Sequence, residues 1–229
     1  MVEKMNILVI SDIHNDVENI MAYSDKMVLL DFDVLIAIGD FTDYNVPKGF
    51  NKLDIGKLII EELKTFKKPI YAVPGNFDKE LLEFFELENI SLHGRGVVLN
   101  DVGFYGYGGA KTPFGTLLEP DEAELKKGLE SAYKDIENAK YKIQITHIPP
   151  VNTKLDHAYT GAHVGSESVR DFIEKKQPDV AVCAHIHEGR GIDQIGRTKL
   201  LNAGRFPEGY CGLISIKNGD VEVKIINLI

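Results

Sequence analysis

Four of the seven histidines in the 229-residue chain stand directly behind short apolar runs. Aspartates and one asparagine stand in the same kind of place. Asp12 and His14 follow the run 7–10, Asp40 follows Val34–Ile38 and a glycine, and Asn76 follows Ile70–Val73. His147 closes the run 143–146, and His185 with His187 closes 180–184. Imidazole, carboxylate, carbonyl and water are the ligands that hydrolytic sites use for divalent metals. Two such ions about 3.5–4 Å apart suit a phosphate ester, because one generates the nucleophile and both neutralise charge developing on the phosphoryl oxygens. A ligand shared between them needs two free oxygens and no positive charge, which Asp40 supplies. The spacing His185-Ile186-His187 has a reason: at a strand end, residues i and i+2 project to the same side, so two imidazoles can reach neighbouring ions. Asp12-Ile13-His14 repeats the device with one carboxylate. Taken singly, each residue has a plainer explanation. An aspartate after a strand caps a helix, a lone histidine is a hydrogen-bonded core residue, and asparagine after Pro-Gly makes a turn. One metal site accounts for all of them together.

Such a site needs strands that end on a common rim. The run 5–10 is continuously apolar, as expected of a central strand covered on both faces. Asn15 or Asp16 can cap a helix from Val17 to about Leu30. A strand at Val34–Ile38 is followed by apolar residues at helical spacing over 53–66: Ile55, Leu58, Ile59, Leu63 and Phe66. A third strand over 69–73 leads to a short helix over 79–88. This β-α-β-α-β-α order implies parallel strands with right-handed crossovers, and ligands in such sheets bind beyond the strands' carboxyl ends. That places Asp12, Asp40 and Asn76 on one edge.

The middle changes character. Gly96–Leu99 and Val102–Tyr107 read as a hairpin joined at Asn100-Asp101. A glycine-bearing loop runs to Pro120, a helix is expected over 121–138, and Tyr141–Thr146 is a strand. The polar loop 152–165 carries His157 and His163, and a loop of that length inside a compact domain is often functional. Ser166 caps a helix through Lys176, and a buried strand follows over 180–184. Thr198–Asn202, 212–216 and 221–226 read as strands of a second sheet. No repeat or linker interrupts 1–229, so one domain is expected.

Hydrophobic residues make up 44% of the chain and charged residues 27%, the balance of an ordinary globular protein. The net charge of −9 argues against a dedicated nucleic-acid surface. It leaves a phosphate substrate open, since two divalent ions would add about +4 at the site. Two cysteines are no disulfide framework, so a reducing cytoplasm is the expected location. The apolar run in residues 1–10 is too short for a signal segment. No run approaches the roughly 20 residues of a membrane helix.

Ser11-Asp12-Ile13-His14, Gly39-Asp40-Phe41-Thr42-Asp43, Pro74-Gly75-Asn76-Phe77-Asp78, Thr146-His147 and Ala184-His185-Ile186-His187 resemble, in order, the five sequence blocks of the calcineurin-like metallophosphoesterases. The resemblance covers essentially the whole chain. It implies an α/β fold, a four-layer α-β-β-α sandwich of two central mixed sheets, with the metal site at the strands' C-terminal rim. It further implies that Asp12, His14 and His187 hold one ion, that Asn76, His147 and His185 hold the other, and that Asp40 bridges. The metals it implies are manganese, iron, zinc, nickel or cobalt, with manganese favoured.

The pattern is broken at Phe77, where the family usually carries a histidine that contacts the phosphate and is thought to protonate the leaving group, helped by the next acidic residue, here Asp78. Phenylalanine can do neither, and general-acid help is typically worth about 10²–10⁴-fold. Good activity is then expected on stable leaving groups, unless His157, His163 or His93 supplies the acid. Two milder departures are Ala184, where the family often has glycine, and Asn15-Asp16, where a glycine commonly follows the first histidine.

The expected activity is therefore hydrolysis of phosphomono- or phosphodiesters by in-line attack of a hydroxide held between two metals. Asp40, Asn76 and His147 would be catalytic. Asn76, Arg205 and Arg190 would contact the substrate, the arginines by bidentate pairing, although Arg190 equally reads as a solvated surface residue. Asp43 is a candidate partner for a ligand imidazole. The expected substrate is a small phosphate ester, with no membrane or nucleic-acid partner, and a homo-oligomer is compatible with the reading. The competing reading, prompted by Phe77, is a metal-holding interaction module without significant catalysis. A repair-type nuclease fits less well, since those relatives keep the histidine and add DNA-binding segments.

Overall fold

A computed structural model describes residues 4–229. Residues 1–3, which fall within the opening run weighed above as a signal segment, lie outside the described residues.

The first sheet is built on β1 (Lys4–Ser11), β2 (Val34–Ile38) and β3 (Ile70–Val73), paired in parallel as β1-β2-β3. Two crossover helices connect them, α1 (Val17–Val28) and α2 (Lys52–Lys64). Asp16 caps α1 by accepting from the Asn19 amide, and Asn51 with Asp54 forms a capping box on α2. After β3 a 3₁₀ turn over Lys79–Leu81 leads into α3 (Leu82–Leu87), so the expected helix over 79–88 is split.

The second sheet begins with the hairpin β4 (Gly96–Leu99) and β5 (Val102–Tyr107), whose turn residues Asn100 and Asp101 both take left-handed φ. It continues through α4 (Glu122–Asp135), β6 (Tyr141–Thr146), α5 (Glu167–Lys176), β7 (Val180–Cys183), β8 (Gly191–Ile195) and β9 (Thr198–Asn202). The strand order is β4-β5-β6-β7-β9-β8, with β5, β6, β7 and β9 mutually parallel. The strand β8 was not expected: residues 191–194 alternate part-buried and exposed positions at the sheet edge, and only Ile195 is buried.

The last two strands, β10 (Tyr210–Lys217) and β11 (Asp220–Asn227), do not extend the second sheet. They return to the first, with β10 antiparallel to β1 from Lys4↔Lys217 to Val9↔Gly212, and β11 outside it. Both sheets are therefore mixed.

Alternation along β1 shows the layering. Leu8 and Ile10 turn outward to pack with Ile20 and Met27 of α1 and Ile55 and Ile59 of α2. Ile7 and Val9 turn inward onto Phe104, Ile143, Ile145 and Val182 of the second sheet. That sheet's other face, with Tyr105, Ala181 and Leu200, packs on Leu125 and Leu129 of α4 and Val169 and Ile173 of α5. Three apolar seams thus separate four layers, α-β-β-α. Leu58, read as part of the buried face of α2, is instead 45% exposed. No helix among the described residues is long and apolar enough to cross a membrane.

Candidate metal centre

Beyond the strand ends, the loops after β1 and β2 keep running side by side. The Asp12 amide donates to Gly39 O at 3.2 Å, His14 to Asp40 O at 2.8 Å and Asn15 to Phe41 O at 2.9 Å. The pairing survives, but the backbone turns left-handed. Asp12, His14, Asn15, Asp40 and His185 have φ of 52°, 50°, 66°, 47° and 68°. Each such residue costs of order 1–3 kcal/mol and persists only where its surroundings over-determine it. At Asp12, His14, Asp40 and His185 the conformation aims ligand-type side chains into one space, whereas the Asn15 side chain donates to Asn45 O. Two glycines make room. A Cβ on Gly39 would lie 2.0 Å from His147 Nδ1, and one on Gly75 would lie 2.1 Å from the Asp40 amide nitrogen.

All the predicted metal ligands come together, in two groups. The ligand atoms of Asp12, His14 and His187 lie within 4.8 Å of one another, as do those of Asp40, His147 and His185. Asn76 joins the second group, its Oδ1 3.2 Å from His147 Nε2. Asp40 Oδ2 is 3.3 Å from the same nitrogen. In the first group His14 Nε2 and His187 Nε2 face each other at 3.3 Å, and Asp12 Oδ1 lies 3.6 Å from His187 Nε2 while accepting from the His185 amide at 3.2 Å.

These atoms fit divalent cations. Asp12 Oδ2 is buried and has no hydrogen-bond partner among the described residues, and a buried carboxylate oxygen without a partner is costly unless a cation satisfies it. Two facing imidazole nitrogens leave at most one N–H between them, whereas both lone pairs can serve an ion. The oxygen–nitrogen donor set is the one that manganese, iron and zinc accept.

Electrostatics places Asp40 between the groups. Its carboxylate acts on His147 and His185 of its own group and on His14 of the other. Burial alone would raise its pKa, but the charge and hydrogen bond of His147 pull it down to about 2. Burial would lower that of His147, and Asp40 raises it to about 9 instead. Burial, with the charge of His147, takes His185 down to about 4. Burial also lowers His14, while the Asp12 carboxylate outweighs burial and raises His187.

Asp78, expected only as a helper of the absent histidine, has a different part. Its fully buried carboxylate accepts from the amides of Gly75 (2.8 Å), Phe41 (3.1 Å) and Thr42 (3.0 Å) and from the Thr42 hydroxyl (2.9 Å). It ties the Asp40 loop to the Asn76 loop. Burial, then the charge of Asp40, raises its pKa to about 6 against those hydrogen bonds. Asn202 works similarly on the other sheet, donating to Ile186 O at 2.9 Å and accepting from the Gly204 amide at 2.9 Å. The Ser11 hydroxyl donates to Gly204 O at 2.8 Å and ties that turn to β1.

The remaining predicted residues are dispersed. Arg205 lies close enough to His187 to act on its charge, and its Nε is buried without a partner among the described residues. Arg190 stacks on Tyr210 at 3.6 Å and pairs with Glu208 at 3.3 Å. Asp43 stands 3.7 Å from His14 Nδ1, an ion-pair distance rather than a hydrogen bond. His93 stacks on Tyr107 and accepts from the Gly108 amide, and burial takes it down to about 4, so it is neutral near pH 7. His157 and His163 meet edge to face with ring centroids 4.1 Å apart, and His163 Nδ1 lies 2.7 Å from Asp156.

The model of the calcineurin-like phosphoesterase family matches residues 5–189. The chain belongs to that family. The match begins in β1 and ends just past His187, so it spans both ligand groups. Protein MJ1162 of Methanocaldococcus jannaschii is 32% identical over 216 residues, 92% of each chain. Among solved structures, TT1561 of Thermus thermophilus superposes with a TM-score of 0.74 at 18% identity, over 98% of this chain and 99% of that one. A dimetal phosphatase from Danio rerio gives 0.70 at 10% identity, over 98% and 96%. At such identities these two likenesses establish the fold, the one this family shares.

Proposed function

We propose that this chain is a two-metal phosphoesterase acting on a small phosphomono- or phosphodiester, with Asp40 shared between the ions. One observation carries the reading: two ligand groups, each drawing on both sheets, meet around Asp40 and the unpartnered Asp12 Oδ2. Family membership supports the hydrolase class. When bound, the ions supply an activated water and neutralise phosphoryl oxygens, with manganese favoured.

The chain's own groups do the rest. Asp12, His14 and His187 form one cradle. Asn76, His147 and His185 form the other. The carboxamide of Asn76, next to His147, is positioned to touch both ligand and substrate. The Arg205 guanidinium beside His187 takes a phosphoryl oxygen and holds the phosphorus in line, with Arg190 as a more distant contributor. Phe77 gives no proton, so the departing oxygen must be stable as an anion. A cytoplasmic location and the capacity to form a homo-oligomer complete the proposal. The alternative, a metal-holding interaction module, rests on Phe77 alone.

The test is hydrolysis of bis-p-nitrophenyl phosphate and p-nitrophenyl phosphate after chelator treatment and manganese restoration. Turnover should require the metal, and Asp40→Asn should lower it on the order of 10³-fold, the effect of withdrawing several kcal/mol of charge stabilisation. A loss under tenfold sinks the two-metal mechanism centred on Asp40, and no turnover with metal demonstrably bound sinks the enzyme reading in favour of the module.

A further inference from the structure

Phe77 sits against the ligand groups, its amide 3.2 Å from Asp40 Oδ1 and its ring centroid 6.2 Å from that of His14. The half-buried side chain of Lys52, the first residue of α2, reaches Phe77. Its Nζ donates to the Phe77 carbonyl at 2.8 Å and stands 5.2 Å from the ring centroid. Helix energetics do not favour a lysine here, because a cation in the first turn opposes the macrodipole. The Phe77 contacts hold it instead. An ammonium has three N–H donors, and the Phe77 carbonyl engages one of them.

We propose that Phe77 and Lys52 form a leaving-group subsite selective for diphosphates, in which the departing group is itself a phosphate. The inference rests on the two-metal hydrolase reading and extends its substrates from esters to phosphoanhydrides. Water adds its oxygen to the attacked phosphorus, the bond from that phosphorus to the bridging oxygen breaks, and the electron pair stays on the bridging oxygen. The water protons pass to solvent. The departing phosphate needs no proton, because its second pKa is near 6, whereas an alkoxide does. Phe77 therefore excludes simple alkyl esters by withholding an acid. Lys52 favours phosphate by pairing with its charge. Both residues select the same group.

The test compares kcat/KM for adenosine 5′-diphosphate and bis-p-nitrophenyl phosphate in manganese-loaded wild type, Lys52→Met and Lys52→Arg. The wild type should hydrolyse the diphosphate. The ratio of diphosphate to diester rates should fall about 30-fold in Lys52→Met, the weight of one charge-assisted hydrogen bond, and largely recover in Lys52→Arg. Amine labelling of wild-type Lys52, read by mass spectrometry with manganese in excess, gives a readout independent of turnover. Methylenebisphosphonate should protect Lys52, and methylphosphonate should not. Equal losses on both substrates, or equal protection by both probes, overturns the subsite while leaving the esterase standing. A wild type inert toward both bis-p-nitrophenyl phosphate and p-nitrophenyl phosphate overturns the esterase reading itself.

Discussion

The two ligand groups use the same side-chain types in different surroundings. In the group of Asp40, His147 and His185, the His147 side chain is fully buried and that of Asp40 nearly so. In the group of Asp12, His14 and His187, the His187 side chain keeps 33% of its surface in contact with solvent. Burial strengthens charge interactions, and the pKa values follow: Asp40 and His147 are driven far apart, while His187 is raised less sharply. The difference teaches that similar donors make one sheltered, strongly polarised site and one open to water.

The strongest way to break that contrast is to remove one imidazole from each side. His187→Ala should leave the sheltered group able to hold its ion, so elemental analysis after desalting should find about one manganese per chain and turnover about 100-fold lower, roughly 2.7 kcal/mol of barrier. His185→Ala should retain less than one ion and lose more activity. Equal metal contents in the two variants would refute the contrast.

A second test uses protons as competitors. Folding raises His147 from its ordinary value near 6.5 to about 9, so the stabilisation is complete below about 6.5 and is lost as pH rises through 9. Chelator-treated protein should therefore show a falling Tm between pH 6.5 and 9. With manganese present the slope should flatten, since metal and proton compete for the same imidazole. Parallel slopes with and without metal would mean that His147 is not a ligand.

The smallest expected effect sharpens the open side alone. Asn202→Ala frees the Ile186 carbonyl and the Gly204 amide, loosening the turn that carries His187. Manganese affinity should drop on the order of tenfold, as outer partners of ligands usually dictate, and calorimetric titration would measure it.

Much of the site was legible because it is local. A buried strand followed by Asp, Asn or His puts the side chain at a rim whatever the rest does, and parallel β-α units put several rims together. The hairpin at Asn100-Asp101 was legible for the same reason, since both residues tolerate left-handed φ. The destination of β10 and β11 was not. Their apolar pattern says that they pair, but the partner of β10 is β1, at the far end of the chain, and nothing in 210–227 specifies which sheet edge is free. Asp78 was legible as an acid but not as a tie, because its four donors come from two separate loops. Lys52 was not legible, because a lysine at a helix start has the pattern of a solvated charge and only the fold brings Phe77 against it.

Each ligand group takes members from both sheets: Asp12 and His14 with His187, and Asp40 with His147 and His185. Along most of their length the sheets are held by apolar contacts, which tolerate small sliding. At the rim they are held by directional bonds, which do not. The centre thus acts as a clasp across the sandwich, and its occupancy reports the registry of the layers. A substitution deep in the inter-sheet seam, at Ile36 or Ile145, would surface first as weakened metal retention while the helices and strands still look intact.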